Sequence, residues 1–203
     1  MSSQLHAEDW ESIWKNGIKQ GERFDIGTSH PVLRRLIDEN KLPLGASLIP
    51  GCGRGYDVEA LSKSGRKAIG LDMSQSCVDE SMNYLKSVLS DEELLNANVK
   101  CEDFFDHEGT YTFVYDYTFL CAILPSRREQ WALKMSSLIE KGGILLTLQF
   151  PLGYYGTIHP KSEPLDYTRG PPFLLTKALY DELLSNSFEK IEAADIPEDQ
   201  SED

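Results

Sequence analysis

The sequence predicts an α/β fold in which helices cover both faces of a parallel sheet. Short apolar segments alternate with helical patterns from residue 46 to residue 196. One segment, ILLTLQF at residues 144–150, is apolar almost throughout, which is typical of a central strand buried on both faces. Strand–helix alternation implies parallel strands, because each crossover connection carries a helix over one face of the sheet.

Six segments are predicted to be strands, because they are apolar and rich in β-forming residues. They span residues 46–50, 67–73, 98–105, 112–120, 144–150 and 188–196. Helical spacing of apolar residues predicts helices over residues 55–64, 127–140 and 176–185. A further helix is expected after Ser74, whose hydroxyl can cap it, and that helix carries Val78, Met82, Leu85 and Val88.

The chain is predicted to form a single domain over residues 1–203, in three parts. Residues 1–45 contain two helical patterns and form an N-terminal lid or cap. Residues 46–196 form the sheet and its helices. Residues 197–203 include four acids, so an acidic, disordered tail is expected there.

The composition restricts the possible partners. The 33 Asp and Glu residues outnumber the 20 Lys and Arg residues, for a formal net charge of −13. Nucleic acids and anionic membranes attract basic proteins, so neither is expected as a partner. No apolar run approaches the length of a membrane span, and the first residues lack the pattern of a signal peptide. We therefore expect a cytoplasmic monomer that binds small molecules.

The four cysteines, at positions 52, 77, 101 and 121, show no CxxC spacing, and the four histidines are scattered. Zinc sites and disulfide frameworks depend on such clusters and spacings. The sequence therefore predicts free thiols in a reducing compartment and no metal site.

A glycine-rich turn follows the first predicted strand. In the segment LIPGCGRGYD, at residues 48–57, glycines occupy positions 51, 53 and 55. Such a turn can bend sharply and let a ligand approach the backbone, because no Cβ atom is in the way. The G-x-G-x-G spacing differs from the G-x-G-x-x-G of dinucleotide-binding folds, and a tight turn without a ligand fits these residues equally well.

Acids at the ends of two predicted strands favour a ligand with an adenosine group. Asp72 lies 21 residues after Gly51, where a carboxylate can accept both ribose hydroxyls, although a strand end or helix cap would use the same residue. Both NAD and S-adenosylmethionine contain ribose. The segment Pro50-Gly-Cys-Gly suits a methionine tail, while Asp103 can bond the adenine amino group and Phe104 can cover the ring. These residues disfavour a nucleotide-dependent oxidoreductase.

Several short motifs, spread over residues 8–150 and more loosely to 196, combine into a specific pattern. They are Trp10-x3-Trp14, Leu42-Pro-Leu-Gly45, Ile49-Pro-Gly-Cys-Gly53, Tyr56-Asp-Val58, Gly70-Leu-Asp72, Glu102-Asp-Phe-Phe105, Asp116-Tyr117 and Phe119-Leu-Cys-Ala-Ile123. This combination resembles the thiopurine S-methyltransferase family, especially its thiol and halide methyltransferase branch. The resemblance implies a class I, Rossmann-like methyltransferase fold that uses S-adenosylmethionine.

The resemblance also implies a role for individual residues of the sheet. Gly51 would contact the methionine moiety of the cofactor, and Asp72 would bind the ribose. Asp103 and Phe104 would hold the adenine, and Tyr117 would lie beside the sulfonium.

In the lid, the resemblance implies that Trp10 and Trp14 contact the cofactor, with Phe24 near the position of a third family tryptophan. The sulfonium is a cation, and aromatic faces attract cations by roughly 0.5–2 kcal/mol each. On the residue pattern alone, Trp10, Ile13 and Trp14 form an apolar helical stripe, which is more typical of core packing.

The C-terminal region departs from the family pattern. Methyltransferases of this class usually end in an antiparallel hairpin, but only seven residues follow Ile196 in this sequence. We therefore expect the final antiparallel strand to be missing.

The resemblance implies in-line transfer of a methyl group to a small thiol, bisulfide or halide. An anionic acceptor needs no strong base, in agreement with a sequence that has no nucleophile–His–acid set. A neutral thiol, with a pKa of about 8.5, must lose a proton, and Tyr117 or a bound water is the candidate base. Cys121 is interpreted as a small buried residue. A thiopurine-like or other small-molecule methyltransferase and a non-catalytic S-adenosylmethionine-binding protein are the alternatives.

The acceptor site is expected beyond Tyr117, beside the loop at residues 151–172. This loop of 22 residues has no predicted regular structure, and long ordered loops are commonly lids or binding loops. Tyr154, Tyr155 and Arg169 are the candidate acceptor contacts, although an exposed loop with chance aromatics would look the same.

Replacing Asp72 by alanine is expected to weaken S-adenosylmethionine binding by about 1–3 kcal/mol, the cost of a lost charge-assisted hydrogen bond. Calorimetric titration of the wild type and of Asp72→Ala measures this difference. An unchanged affinity would remove Asp72 from the site.

Overall fold

The computed structural model describes residues 7–196, and a five-stranded sheet forms its centre. The strands are β1 (Ala46–Pro50), β2 (Lys67–Asp72), β3 (Ala97–Cys101), β4 (Tyr111–Tyr117) and β5 (Ile139–Leu148). Their order is β3-β2-β1-β4-β5, and every neighbouring pair is parallel. The predicted α/β class is therefore confirmed, while the predicted acidic tail, residues 197–203, lies outside the described residues.

Helices flank the sheet on both faces. They are α1 (Ala7–Lys15), α2 (Pro31–Asp38), α3 (Tyr56–Lys63), α4 (Gln75–Val88), α5 (Asp91–Leu94), α6 (Arg128–Leu138) and α7 (Lys177–Leu184). Because successive strand residues point to opposite faces, Ile49 belongs to a buried cluster with residues of α2, α3 and α4, whereas Leu48 belongs to a cluster with residues of α6 and α7. Among these described helices, none is long and apolar enough to cross a membrane.

Local residues fix the starts of three helices. The Ser74 hydroxyl accepts a hydrogen bond of 3.1 Å from the backbone N–H of Cys77, so α4 begins where the sequence predicts. Thr176 caps α7 through the N–H of Leu179, at 3.0 Å. Gly55 precedes α3 with a φ of 88°, which glycine adopts without strain. These boundaries set the lengths of the turns that reach the carboxyl edge of the sheet.

Residues 188–196 do not form the predicted sixth strand, so that prediction is wrong. As an extended strand, this segment would place Lys190 and Glu192 on one face and Glu189 and Asp195 on the other. A strand at the edge of a sheet needs an apolar face toward the core, and here both faces carry charge.

Strand β5 lies at an edge of the described sheet, not at its centre as ILLTLQF predicts. It pairs with β4, and Ile144, Leu145 and Leu146 are only partly buried. A continuous apolar run indicates burial but contains no information on the number of neighbouring strands. The strand also begins five residues earlier than predicted, because α6 ends at Leu138 and passes directly into β5 at Ile139.

Candidate active site

A cavity of about 1240 Å³ opens at the carboxyl ends of the central strands. The chain leaves β1 for β2 on one side and later returns to β4 on the other side. Open α/β sheets bind ligands where the strand order reverses in this way. Ten of the eleven residues that the sequence predicts for the site line the cavity: Trp10, Trp14, Phe24, Gly51, Asp72, Asp103, Phe104, Tyr117, Tyr154 and Tyr155.

The glycine-rich turn after β1 is packed too closely for a side chain at one of its positions. A Cβ atom on Gly51 would lie 2.6 Å from a ring carbon of Phe119, and the φ of Gly51 is +62°. A Cβ atom on Gly70 of β2 would lie 2.6 Å from the sulfur of Cys52 in the same turn. The turn therefore rests between β2 and Phe119, and its backbone forms a fixed floor of the cavity.

Carboxylates lie at the ends of β2 and β3. Asp72 is the last residue of β2 and accepts a hydrogen bond of 3.0 Å from the backbone N–H of Ser74. Burial raises the pKa of Asp72, although nearby N–H donors oppose that shift. Asp103, two residues beyond β3, accepts the N–H of Phe105 at 2.9 Å. Each carboxylate is therefore oriented at the cavity wall by its own turn.

Aromatic rings follow the β3 carboxylate. The ring of Phe104 packs edge-on against Phe119, with centroids 5.0 Å apart. The guanidinium of Arg127 lies 3.7 Å from the ring centre of Phe105. These side chains place aromatic rings and one cation next to Asp103. Sequence reasoning did not assign Arg127 or Phe119 to the site, although Phe119 begins one of the family motifs.

Helix α1 and the loop after it bring three aromatic rings together at the cavity. Phe24 packs edge-on against Trp10 and Trp14, with centroid distances of 5.6 and 6.1 Å. Trp14 is 5% exposed and also belongs to a small buried cluster with Ile18 and Cys77. Trp14 therefore packs in a buried cluster and also lines the cavity.

Glu11 attaches α1 to the start of α4. Its carboxylate accepts hydrogen bonds from the Ser76 hydroxyl at 2.6 Å, the Ser76 N–H at 3.1 Å and the Ser74 hydroxyl at 2.7 Å. The donors of Ser76, followed by that of Ser74, lower the pKa of Glu11 to about 2. The positive end of the α4 dipole favours the same negative charge.

A second attachment connects the loop after α1 to the glycine-rich turn. Nε of Arg54 lies 2.7 Å from Oδ2 of Asp25, and the Tyr56 hydroxyl donates to Oδ1 of Asp25 at 3.0 Å. Burial, together with the Asp25 carboxylate, raises the pKa of Tyr56. The lid is thus fixed both to α4 and to the turn after β1.

Tyr117, at the end of β4, packs against a histidine that caps α2. The rings of Tyr117 and His30 lie 5.0 Å apart. Nδ1 of His30 accepts the N–H of Val32 at 3.1 Å, so the neutral ring carries its proton on Nε2. The cap thereby fixes the position of the ring against which Tyr117 packs.

A buried carboxyl supports the turn after β4. Asp116 accepts hydrogen bonds from the backbone N–H of Leu120 at 3.2 Å and from the Trp131 indole at 2.9 Å. Burial raises the pKa of Asp116 to about 6, because few donors compensate for the lost water. Asp116 thereby holds the turn that carries Phe119 against α6.

The long loop after β5 contributes two of its three predicted contacts to the cavity. Tyr155 packs edge-on against Phe150 at 4.7 Å, and Tyr154 is 49% exposed. Arg169 is the predicted site residue that does not line the cavity; it donates to Glu163 at 2.7 Å and to the carbonyl of Ile158 at 3.2 Å. In this position Arg169 braces the loop internally.

Cys121 is buried next to the cavity, as the sequence predicts. It is 3% exposed, and its thiol donates to the carbonyl of Thr118 at 3.2 Å. Burial, with a smaller contribution from the Asp116 carboxylate, raises the pKa of Cys121. A reactive cysteine needs a low thiol pKa, so the geometry gives Cys121 a packing role.

The fold and cavity define the class to which the chain belongs. Over 77% of its length, the chain superposes with a TM-score of 0.59 and 17% identity on magnesium protoporphyrin IX methyltransferase (ChlM) from Synechocystis PCC 6803, solved with bound S-adenosylmethionine. The chain spans 64% of that structure. The fold is that of the class I S-adenosylmethionine-dependent methyltransferases.

Residues 5–203 match the sequence model of the thiopurine S-methyltransferase family, and the chain belongs to that family. It is 33% identical over 201 residues to a probable thiol methyltransferase 2 of Arabidopsis thaliana, with 96% of this chain and 80% of the relative covered. It is 34% identical over 177 residues to thiocyanate methyltransferase 1 of Brassica oleracea, covering 86% and 70%. The predicted resemblance is confirmed, and the chain is an S-adenosylmethionine-dependent methyltransferase.

Sequence reasoning missed the residues that attach the lid. Asp25 and Arg54 are 29 positions apart, and Glu11 and Ser74 are 63 positions apart, so no local motif marks either pair. One indication was available for Arg54: it stands inside a glycine-rich turn at the core, where a charged side chain requires a partner.

Replacing Glu11 by glutamine is expected to loosen α1 at neutral pH, because a neutral amide accepts weaker hydrogen bonds and has no charge for the α4 dipole. The pKa of Glu11 is lowered from 4.5 to about 2, so its contribution is fully present above pH 4.5 and is lost as the pH falls toward 2. Hydrogen-exchange protection of residues 7–15 should be lower in Glu11→Gln at pH 7, and the difference should shrink steadily as the pH falls from 4.5 through about 2.

The matched control is Glu129→Gln, since Glu129 is an exposed acid on α6. That variant should leave the protection of residues 7–15 unchanged at every pH. Equal protection of α1 in the wild type and in Glu11→Gln at pH 7 would contradict the assigned attachment.

Proposed function

We propose that the chain transfers a methyl group to a small, weakly hydrated anion such as a thiolate, bisulfide or halide. The observation that carries the proposal is the division of one cavity into two chemically different walls. One wall contains the strand-end carboxylates and the lid aromatics. The other, formed by residues 150–158 and 171–173, contains no charged side chain.

The residues of the charged wall fit S-adenosylmethionine. Asp72 would accept the ribose hydroxyls, and Asp103 with Phe104 would hold the adenine, since each carboxylate is oriented at the cavity. Gly51 would leave the floor open to the methionine moiety. Tyr117 also lines the cavity and would lie beside the sulfonium.

The lid aromatics fit the positive end of the same cofactor. Trp10, Trp14 and Phe24 meet at one point of the cavity. Ring faces attract a cation, most strongly where water is excluded. Trp14 is buried, whereas Phe24 is 39% exposed. These three rings would therefore bind the sulfonium.

When bound, S-adenosylmethionine supplies a methyl group on a cationic sulfur that an incoming nucleophile displaces in line. The uncharged wall would remove water from the acceptor, which leaves its charge free to be attracted by the sulfonium. The desolvation cost is smallest for large ions, so sulfur anions and heavy halides suit this wall better than small oxyanions. Both plant relatives are named for sulfur acceptors, thiol and thiocyanate.

One feature favours a second candidate, a flat aromatic thiol such as a thiopurine. Phe150 and Tyr155 form an edge-to-face pair in the uncharged wall, and both line the cavity. Such a pair can hold a ring by stacking. This acceptor would use the same cofactor residues and the same in-line transfer.

We further propose that the enzyme is a cytoplasmic monomer. All four cysteines are free thiols, which supports a reducing compartment.

The proposal is tested by incubating the protein with labelled S-adenosylmethionine and a panel of iodide, bisulfide, thiocyanate, an aryl thiol and a thiopurine. Label in a volatile product from the inorganic anions is expected, and Asp72→Ala should slow the transfer when the cofactor concentration is below its dissociation constant for the wild type. Preferential labelling of the thiopurine would favour the second candidate. Cofactor binding without transfer to any acceptor would refute both.

Replacing Tyr117 by phenylalanine tests whether its hydroxyl acts only on acceptors that must lose a proton. If the hydroxyl of Tyr117 helps to remove the thiol proton, Tyr117→Phe should lower the rate on the aryl thiol roughly 10²-fold below the pKa of the thiol. The rate on iodide, which carries no proton, should be unchanged. Initial rates measured against pH for both acceptors give the comparison.

The matched control is Tyr167→Phe, because Tyr167 is a tyrosine of the loop at residues 151–172 that is 42% exposed and does not line the cavity. It should leave both rates unchanged. Equal losses on iodide and thiol in Tyr117→Phe would show that Tyr117 acts by packing and not on the proton.

A further inference from the structure

A buried ion pair joins the loop after α1 to the glycine-rich turn after β1. The side chains of Arg54 and Asp25 are only 11% and 2% exposed. We infer that Arg54 is a positioning residue for cofactor binding, which holds the aromatic rings of Trp14 and Phe24 at the cavity. The inference rests on the proposed function, since it assumes that this cavity binds S-adenosylmethionine.

The carboxylate of Asp25 forms hydrogen bonds inside the loop that follows α1, residues 16–27, which we call the lid loop. Its Oδ1 accepts hydrogen bonds from the backbone N–H of Gly27 at 2.9 Å and of Gly21 at 3.3 Å, in addition to the Tyr56 hydroxyl. These two glycines lie on either side of Phe24 in the sequence. The position of the Phe24 ring therefore depends on this carboxylate.

Arg54 contacts the lid at three points. Besides Asp25, it donates through Nη2 to the carbonyl of Ile18 at 2.6 Å, and its guanidinium carbon lies 5.5 Å from the ring centre of Trp14. A third nitrogen, Nη1, lies 3.2 Å from Glu80 on α4. The fixed fork of a guanidinium can serve all of these directions at once, which the single ammonium of a lysine cannot.

The same short turn faces the cavity. Gly51 and Gly53 line it together with Arg54, so the cofactor floor and the lid attachment belong to one rigid segment. Loss of the guanidinium would leave the Asp25 carboxylate buried without its cation, a strongly unfavourable state that opening of the loop to water would relieve. Opening would move Phe24 and Trp14 away from the cavity, so cofactor affinity should fall with it.

The test compares Arg54→Met, Asp25→Asn and Arg54→Lys with a matched control, Arg66→Met. Arg66 is also a buried arginine, 3% exposed, that donates to two backbone carbonyls, but it does not line the cavity. Hydrogen exchange of residues 16–27 reports on the lid loop. Calorimetric titration with S-adenosylmethionine reports on affinity, and thermal unfolding reports on global stability.

We expect Arg54→Met and Asp25→Asn to speed exchange in residues 16–27 and to weaken cofactor binding by roughly 10-fold or more, the factor that corresponds to about 1.4 kcal/mol. Arg54→Lys should recover part of the affinity, because it retains the ion pair. Arg66→Met should lower the unfolding temperature without changing cofactor affinity.

Faster exchange with unchanged affinity would overturn the inference, and so would an equal loss of affinity in Arg66→Met. If the wild type itself fails to bind S-adenosylmethionine, the proposed function fails. A wild type that binds, with variants that bind equally well, overturns only the role given to Arg54.

Discussion

The position of β1 between β2 and β4 is the constraint on which the rest of the structure depends. Parallel pairing on both sides directs the carboxyl ends of all three strands to one edge, and the reversal of strand order opens a cavity there. The turn after β1 must then fit between β2 and Phe119, which leaves room for glycine alone at position 51. The floor of the cavity is therefore determined by backbone packing, and the functional side chains are arranged around it.

Helix α1 and the loop after it are held to the rest of the chain by polar contacts as well as by the packing of Trp14 and Ile18 against Cys77 of α4. Glu11 accepts hydrogen bonds from Ser74 and Ser76 at the start of α4, and Asp25 pairs with Arg54 in the turn after β1. Both anchors adjoin segments that carry predicted cofactor contacts. Charge is unevenly distributed over the cavity lining: carboxylates line it together with Arg23, Arg54 and Arg127, while the lining residues at 150–158 and 171–173 carry no charged side chain.

Local patterns such as caps, strand ends and glycine spacing predicted the fold class, the start of α4 at Ser74 and the cavity-lining residues Gly51, Asp72 and Asp103. Trp10, Trp14, Phe24 and Tyr117, which also line the cavity, came from the family resemblance, because no local pattern separates them from core residues. The sequence misplaced β5, since apolarity measures burial and not the number of neighbouring strands. It wrongly extended the sheet to residues 188–196, where both faces carry charge. The pairing of Arg54 with Asp25 could not be predicted, because it forms only when the chain has folded.

The distribution of thiols has a practical consequence for experiments. Cys52, Cys77 and Cys121 are buried, and Cys101 is the exposed cysteine. Its sulfur lies 3.8 Å from the carbonyl oxygen of Met73, a residue that lines the cavity. Burial and nearby carboxylates raise the pKa of Cys101, so a maleimide dye should react best at mildly alkaline pH. The native chain therefore offers one attachment point for a fluorescent probe at the rim of the cavity, without any engineered cysteine.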